Sequence, residues 1–210
     1  MGLLSKLSVL AAWAATATAA NVTGPFAIHI TGKTNSSIDG YAGACHAGAA
    51  IEGLCYSTGP VSGSSFEFYY NYSSYNSDTG EPQQPGYLTW LLPFTGPNGT
   101  QQTLPEPLAF YPSWGTNVAV GLLNPTAVYD GTSLYFHPDN GTFYIAGGYD
   151  DSLFTEDRPQ VFTSLGNLTN FHLCYQYTGG YWYQSISWVF TDPPRNPTCQ
   201  PVDLGIEEIS

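Results

Sequence analysis

The chain has 210 residues, with sixteen acidic side chains against four basic ones and a formal net charge of −12. That length supports one domain with a real core, and not two comfortable ones. The shortage of Lys and Arg argues against a nucleic-acid partner or an anionic membrane surface, because neutralising phosphates needs cations.

The first twenty residues, MGLLSKLSVLAAWAATATAA, place one cation, Lys6, ahead of an apolar run from Leu7 to Ala15, and small residues follow. The run is too short to span a bilayer. Residues 1–20 therefore read as a secretory signal peptide, with cleavage beside Ala20. No later segment is apolar for long enough to be a membrane span. Six Asn-x-Ser/Thr sequons, at Asn21, Asn35, Asn71, Asn98, Asn140 and Asn167, are candidate glycosylation sites in a eukaryotic secretory pathway. The expected localisation is extracellular.

Sixteen Tyr, eleven Phe and five Trp accompany 23 Gly and 16 Pro. Aromatic and β-branched residues favour strands, and Gly and Pro punctuate turns. Phe26 to Thr31 alternates Phe26, Ile28 and Ile30 against Ala27, His29 and Thr31, the pattern of a half-buried strand. The stretch GACHAGAAIEGLC follows, and its Ala-rich part, Ala44 to Leu54, is the best place for one or two helical turns. Further strands are predicted at Ser65–Tyr72, Tyr87–Leu92 and Asn117–Leu123.

Pro-rich stretches at Pro82–Pro85, Pro93–Pro112 and Pro193–Pro201 read as loops. Leu134–Phe136 and Thr142–Ile145 flank a turn containing Asn140-Gly141, residues that tolerate positive φ. Phe171–Tyr177 and Tyr181–Phe190 flank Thr178-Gly179-Gly180 as a second hairpin. Seven to ten short strands with frequent turn signals suggest a single antiparallel β-sandwich or jelly roll over residues 21–203. Residues 204–210 are expected to form a flexible acidic tail.

Four cysteines in an oxidising compartment read as disulfides. Three pairings are possible. The most economical joins Cys45 to Cys55 and Cys174 to Cys199, each closing a short loop. Adjacent Cys45-His46 does not have zinc-ligand spacing.

The stretches ITGKTNSSIDGYAGACHAGAAIEGLCY, QPGYLTWLLPF and CYQYTGGYWYQSISWV, with PPRNPTCQPV, carry a resemblance over most of the mature chain. Together they resemble a family of small secreted proteins of filamentous ascomycete fungi. The resemblance implies a fungal, secreted, cysteine-paired protein. It brings no catalytic residues with it.

Several chemistries can be weighed on residues. A glycan-active hydrolase needs two carboxyls about 5–10 Å apart. Glu67, expected mid-strand among aromatics, is the best single candidate, but its partner is unassigned, because Glu52, Glu106, Asp150 and Asp151 fall in expected loops. No Gly-x-Ser-x-Gly elbow accompanies the four histidines, His29, His46, His137 and His172. Asp139-Asn140-Gly141 and Asp150-Asp151 offer clustered oxygens but match no EF-hand loop. The mature chain would not begin with the histidine that a secreted copper monooxygenase uses. No metal or cofactor is expected.

Aromatic rings that stack on sugar faces are the stronger functional signal, and Tyr181-Trp182-Tyr183 is the candidate strip. The reading is a secreted, N-glycosylated, extracellular or cell-wall-associated protein, non-enzymatic, with a polysaccharide or cell-wall glycan as partner. The alternatives are a hydrolase using Glu67 and a second carboxylate, or a small-molecule-binding scaffold in a fungal biosynthetic pathway.

Overall fold

The computed structural model describes residues 21–59, 61–75, 82–137, 140–148, 151, 154–157 and 165–209. The expected signal peptide lies outside these residues. So do Asp139, Asp150 and Arg158.

Among the described residues, thirteen strands run in chain order: β1 (Asn21–Gly32), β2 (Asp39–Gly48), β3 (Ile51–Ser57), β4 (Phe68–Tyr75), β5 (Pro82–Thr95), β6 (Gln101–Pro112), β7 (Val118–Leu123), β8 (Ser133–Phe136), β9 (Phe143–Ala146), β10 (Asn167–Leu168), β11 (Phe171–Thr178), β12 (Tyr181–Val189) and β13 (Gln200–Glu208). Among the described residues the helical structure consists of two 3-10 turns, Ser64–Phe66 and Val128–Asp130. None of the helices is long and apolar enough to cross a membrane.

The all-β class and both disulfides are as expected, but the layer arrangement is not a sandwich. The main sheet closes into a nine-stranded antiparallel barrel. Its order is β1-β4-β5-β6-β7-β3-β12-β11-β13, and β13 pairs back onto β1. β2 bridges β1 and β3, while β8, β9 and β10 continue outward from β5 as a meander. Closure is possible because several strands change neighbours along their length. β1 pairs with β4 near its start and with β2 near its end, while its other edge holds β13. Closing the sheet on itself removes the exposed edges that an open sandwich would have to protect.

Alternation along each strand sends one face inward. Phe26, Ile28 and Ile30 of β1, Phe68 and Tyr70 of β4, Leu88 and Trp90 of β5, Leu173 of β11, and Ile186 and Trp188 of β12 belong to one continuous core. Side chains fill the interior. Two of the aromatic side chains buried there satisfy their polar tips: Tyr70 donates to the carbonyl of Leu134 (2.8 Å) and Trp90 Nε1 to the carbonyl of Ser64 (2.7 Å).

Three local expectations are corrected. Ala44 to Leu54 holds no helical turn; it is the β2–β3 hairpin, turning at Ala49–Ala50, with Ala50 at φ +51°. Burial of Ala42 and Leu54 on the inward face outweighs the weak helical preference of alanine. The stretch Pro93–Pro112 is not a loop throughout, since β6 occupies its second half. Over Gln101–Pro107 this strand pairs only with β5, and over Leu108–Pro112 only with β7. One edge is therefore free at Pro105 and Pro107, where a missing N–H costs no ladder bond. The expected tail is strand as far as Glu208, in register with Phe26, because Leu204 continues the inward alternation.

The β11–β12 hairpin turns where expected. Gly179 and Gly180 both have positive φ, +62° and +92°, as a two-residue turn between twisted strands requires. A Cβ at Gly179 would also collide with the carbonyl of Ala47. Gly179→Ala should therefore destabilise the protein by about 2 kcal/mol or more. Chemical denaturation of the variant checks this, and an unchanged midpoint would contradict the packing of this turn on the β2–β3 turn.

Candidate functional site

Disulfide Cys174–Cys199 spans 25 residues, and Cys45–Cys55 spans ten. Both pairings are those expected from spacing. Cys45–Cys55 staples the β2–β3 hairpin. Cys174–Cys199 has a second role, because it ties the segment running from Phe190 to Cys199 against the barrel wall. There Cys174 and Cys199 form a small buried cluster with Val118 and Val189, separate from the main core.

Asn117 anchors the same segment, its amide accepting from the backbone N–H of Arg195 and donating to the carbonyl of Pro193 (2.8 and 2.9 Å). Asn196 donates to the carbonyl of Tyr175 (2.9 Å), and the Tyr175 N–H donates to Thr198 Oγ1 (3.0 Å). This strap therefore fixes the backbone of β11 at Tyr175.

Beside the strap lies a groove of about 430 Å³, within the range of small-ligand clefts. Val118 and Val120 of β7 supply apolar surface. Tyr111 of β6 lines it with Ser113 and Thr116 from the β6–β7 connection. Tyr175, Gln176, Tyr177 and Thr178 of β11, Trp182 of β12 and Asn196 of the strap complete it. Its rings are open to solvent: Trp182 is 75 % exposed, Tyr177 60 %, Tyr175 54 % and Tyr111 41 %. Tyr177 sits directly opposite Trp182 in the hairpin register, with ring centroids 5.1 Å apart and planes tilted by 40°. Tyr111 accepts a hydrogen bond from Asn124 (2.8 Å).

Of the expected strip, Trp182 alone lines this groove. Tyr181 is exposed on the other side of the strand, edge-on to His46 at 5.3 Å. Tyr183 is half-buried over Gly53 and the Cys45–Cys55 bridge, where a Cβ at Gly53 would crowd its ring. Strand alternation separates neighbours in sequence and joins residues two apart or directly opposite. The expected turn, Thr178-Gly179-Gly180, would have set Tyr177 against Tyr181; because Thr178 pairs with Tyr181 instead, Tyr177 faces Trp182. Tyr111 had no such signal, since it lies in the Pro-rich stretch read as loop.

Glu67 is not mid-strand. It follows the Ser64–Phe66 turn, with its N–H on the Ser64 carbonyl (3.2 Å), and is half-buried. The acids that do converge are Glu52 and Glu106, and both lie in strands rather than loops. Glu52 of β3 is opposite Leu123 of β7, which is opposite Leu108 of β6. Glu106 lies two residues before Leu108, on the same face, and opposite Trp90 of β5. Leu108 and Leu123 are fully buried, so both carboxyls point into the barrel. Glu106 is 0 % exposed and Glu52 8 %.

As two carboxylates, Glu106 leaves both its oxygens, and Glu52 its Oε2, without a hydrogen-bond partner. With one proton between them the pair closes a hydrogen bond. Burial first, then that hydrogen bond and the charge of Glu52, raise the pKa of Glu106 to about 9. Carboxyls in hydrogen-bond contact and shut off from solvent leave no room for a glycosidic bond between them.

Elsewhere His29 joins Asp39 (2.7 Å) on the outward surface of β1 and β2, and Tyr41 donates to Glu207 (3.0 Å), a bond that raises the phenol's pKa. His172 is buried against the Asn170 carbonyl (3.1 Å). Among the described residues no group of three or more His, Cys, Asp or Glu side chains is arranged to hold a metal ion. Comparison with family models, curated proteins and solved structures finds no match.

Proposed function

We propose that this chain is a secreted, N-glycosylated glycan-binding protein, extracellular or attached to a cell wall, that acts without catalysis. The observation that carries the reading is the groove, where four solvent-open aromatic rings stand over an apolar strip, edged by hydroxyl and amide groups. Aromatic side chains offer an apolar face with a polar tip, which suits the alternation of C–H faces and hydroxyls on a pyranose. Two disulfides fit an oxidising, extracellular setting. The sequons Asn35, Asn98, Asn140 and Asn167 are exposed and accessible to a glycan. Asn71 is half-buried and donates to Thr89 (2.9 Å). The resemblance to secreted ascomycete proteins points to a fungal cell surface as the setting.

The test is co-sedimentation of the purified secreted protein with insoluble β-glucan, cellulose, xylan or chitin, scoring protein in the pellet and reducing sugar in the supernatant. Pelleting without sugar release is the expected result, and Glu67→Gln should leave it unchanged. Sugar release abolished by Glu67→Gln would replace this reading with the hydrolase.

A further inference from the structure

The groove differs from the rest of the molecule in one respect that bears on its ligand. The chain carries twenty Asp, Glu, Lys and Arg side chains, sixteen of them acidic. Among the described residues, none of the eleven that line the groove is Asp, Glu, Lys, Arg or His. Its polar groups are instead hydroxyls, on Ser113, Thr116, Thr178 and the tyrosines, and the amides of Gln176 and Asn196. Gln176 already donates to Ser187, and Asn196 to the Tyr175 carbonyl while accepting from Thr198, so the hydroxyls, which both donate and accept, are the groups that match sugar hydroxyls in either sense. They provide no counter-charge for a carboxylate, sulfate or ammonium group.

We infer that, within the glycan-binding reading on which this rests, the groove selects uncharged saccharides and discriminates against uronic-acid, sulfated and amino-sugar polymers. Three physical arguments support this. A charged group entering a groove that has no opposite charge loses hydration without a paired partner. The exclusion of polyanions is reinforced by the surrounding molecule, whose net charge of −12 repels them over a Debye length of roughly 8 Å at physiological salt. The same acidic field would attract a polycation to the surface, but away from a groove that has no carboxylate to receive it. Discrimination against chitosan is therefore local to the groove, whereas discrimination against polygalacturonate is both local and global.

The geometry also specifies how the ligand sits. Tyr177 and Trp182 make a tilted pair of adjacent rings with centroids 5.1 Å apart, a stacking surface wider than one ring. Tyr175 is held in place through its backbone by Asn196 and Thr198, so this part of the groove is ordered before the ligand arrives. Preorganisation of this kind lowers the ordering cost of binding.

The experiment is titration of the intact secreted protein, by calorimetry and tryptophan fluorescence, with neutral gluco-, xylo-, manno- and N-acetylchito-oligosaccharides. Oligogalacturonate and fully deacetylated chitosan oligomers serve as charged probes. Each titration is run at 50 mM and 500 mM NaCl, on the natural chain and on Trp182→Ala and Tyr177→Ala, with circular dichroism as the check on folding. The expected result is binding of at least one neutral series, changing less than twofold with salt, weakened tenfold or more by Trp182→Ala, with the charged oligomers at least tenfold weaker. Should Trp182→Ala fail to fold, Tyr177→Ala supplies the same comparison.

Charged oligomers binding best, with the groove variants abolishing that binding, would overturn the selectivity while leaving the groove as a glycan site. Saccharide binding that neither variant alters would remove the groove from the account. No binding of any saccharide would overturn the glycan-binding reading itself, and the inference with it.

Discussion

Glu106→Gln should flatten the pH dependence of this protein's stability. In the folded protein Glu106 holds its proton up to about pH 9, against an ordinary value of 4.5 for the unfolded chain. Between those limits the native state binds one proton more than the unfolded state does. Stability then falls as pH rises, by up to about 1.4 kcal/mol per pH unit from this group. The stabilising effect is fully present below about pH 4.5 and is lost as the pH passes through the folded value. The sign is opposite to that of an ordinary salt-bridged carboxylate, whose contribution disappears in acid.

Glutamine keeps the shape of the protonated acid and cannot ionise, so its amide can donate to Glu52 at every pH. The variant should match the natural chain near pH 4.5 and exceed it increasingly towards pH 8, by up to about 1.4 kcal/mol for each pH unit in between, because only the natural chain must keep a bound proton to stay folded. Urea denaturation from pH 4 to pH 9 measures both curves. Parallel slopes for the two proteins would show that the Glu52–Glu106 pair does not set the pH response. Glu106→Lys is the harsher substitution, placing a cation with a longer stem at a 0 %-exposed position, and should prevent the chain from folding.

Removing the second disulfide, as Cys174→Ser with Cys199→Ser, should cost both stability and binding. The bridge closes 25 residues, and the chain-entropy relation gives about 3.5 kcal/mol for a loop of that size. For a domain this large that is a fall in Tm of roughly 7–14 °C. The hydroxyls also enter the small cluster with Val118 and Val189, whose apolar surroundings offer them little to bond. Without the bridge the strap retains Asn117 and Asn196 as its main ties, and the Tyr175 side of the groove loses its fixed support. On the proposed glycan-binding reading, affinity for the saccharide should fall at least fivefold at temperatures where the variant is still folded.

Cys45→Ser with Cys55→Ser is the comparison that gives this meaning. Its ten-residue loop is worth about 2.5 kcal/mol on the same relation, yet Cys45 and Cys55 do not line the groove. It should lower Tm by a similar amount and leave binding intact. Equal loss of binding in both variants would mean that global loosening, not the strap, explains the effect.

Some local signals were legible in one strand or one turn, although the β2–β3 hairpin, read as helical turns, was not. Phe26, Ile28 and Ile30 announce an inward face through their period of two. Gly179 and Gly180 announce a turn, because only glycine enters that region freely twice in succession. Cysteine spacing within each half of the chain selected the two bridges by loop length. Composition was enough for the all-β class.

Other features depend on residues far apart in sequence, and local pattern has no access to them. Alternation tells each strand which face is inward but not which strand lies beside it, so a sandwich and a closed barrel read alike until β13 is seen to pair with β1. The β6 prolines looked like a loop because their tolerance comes from a free edge, which only the neighbours β5 and β7 define. Glu52 and Glu106 are 54 positions apart and looked like unrelated loop acids; the register from β3 through β7 to β6 turns them into one buried pair that shares a proton. The groove was half visible, in Trp182, and half hidden, in Tyr111 and Asn196, which reach it only through strand pairing and the strap. The β11–β12 turn and the disulfide choice follow from short-range sterics and loop entropy and were legible in the residues, whereas the β2–β3 hairpin, β6 and the end of β13 were not, because burial against distant strands sets them. Barrel closure, the acid pair and the composition of the groove come from long-range pairing, which exists only once the chain is folded.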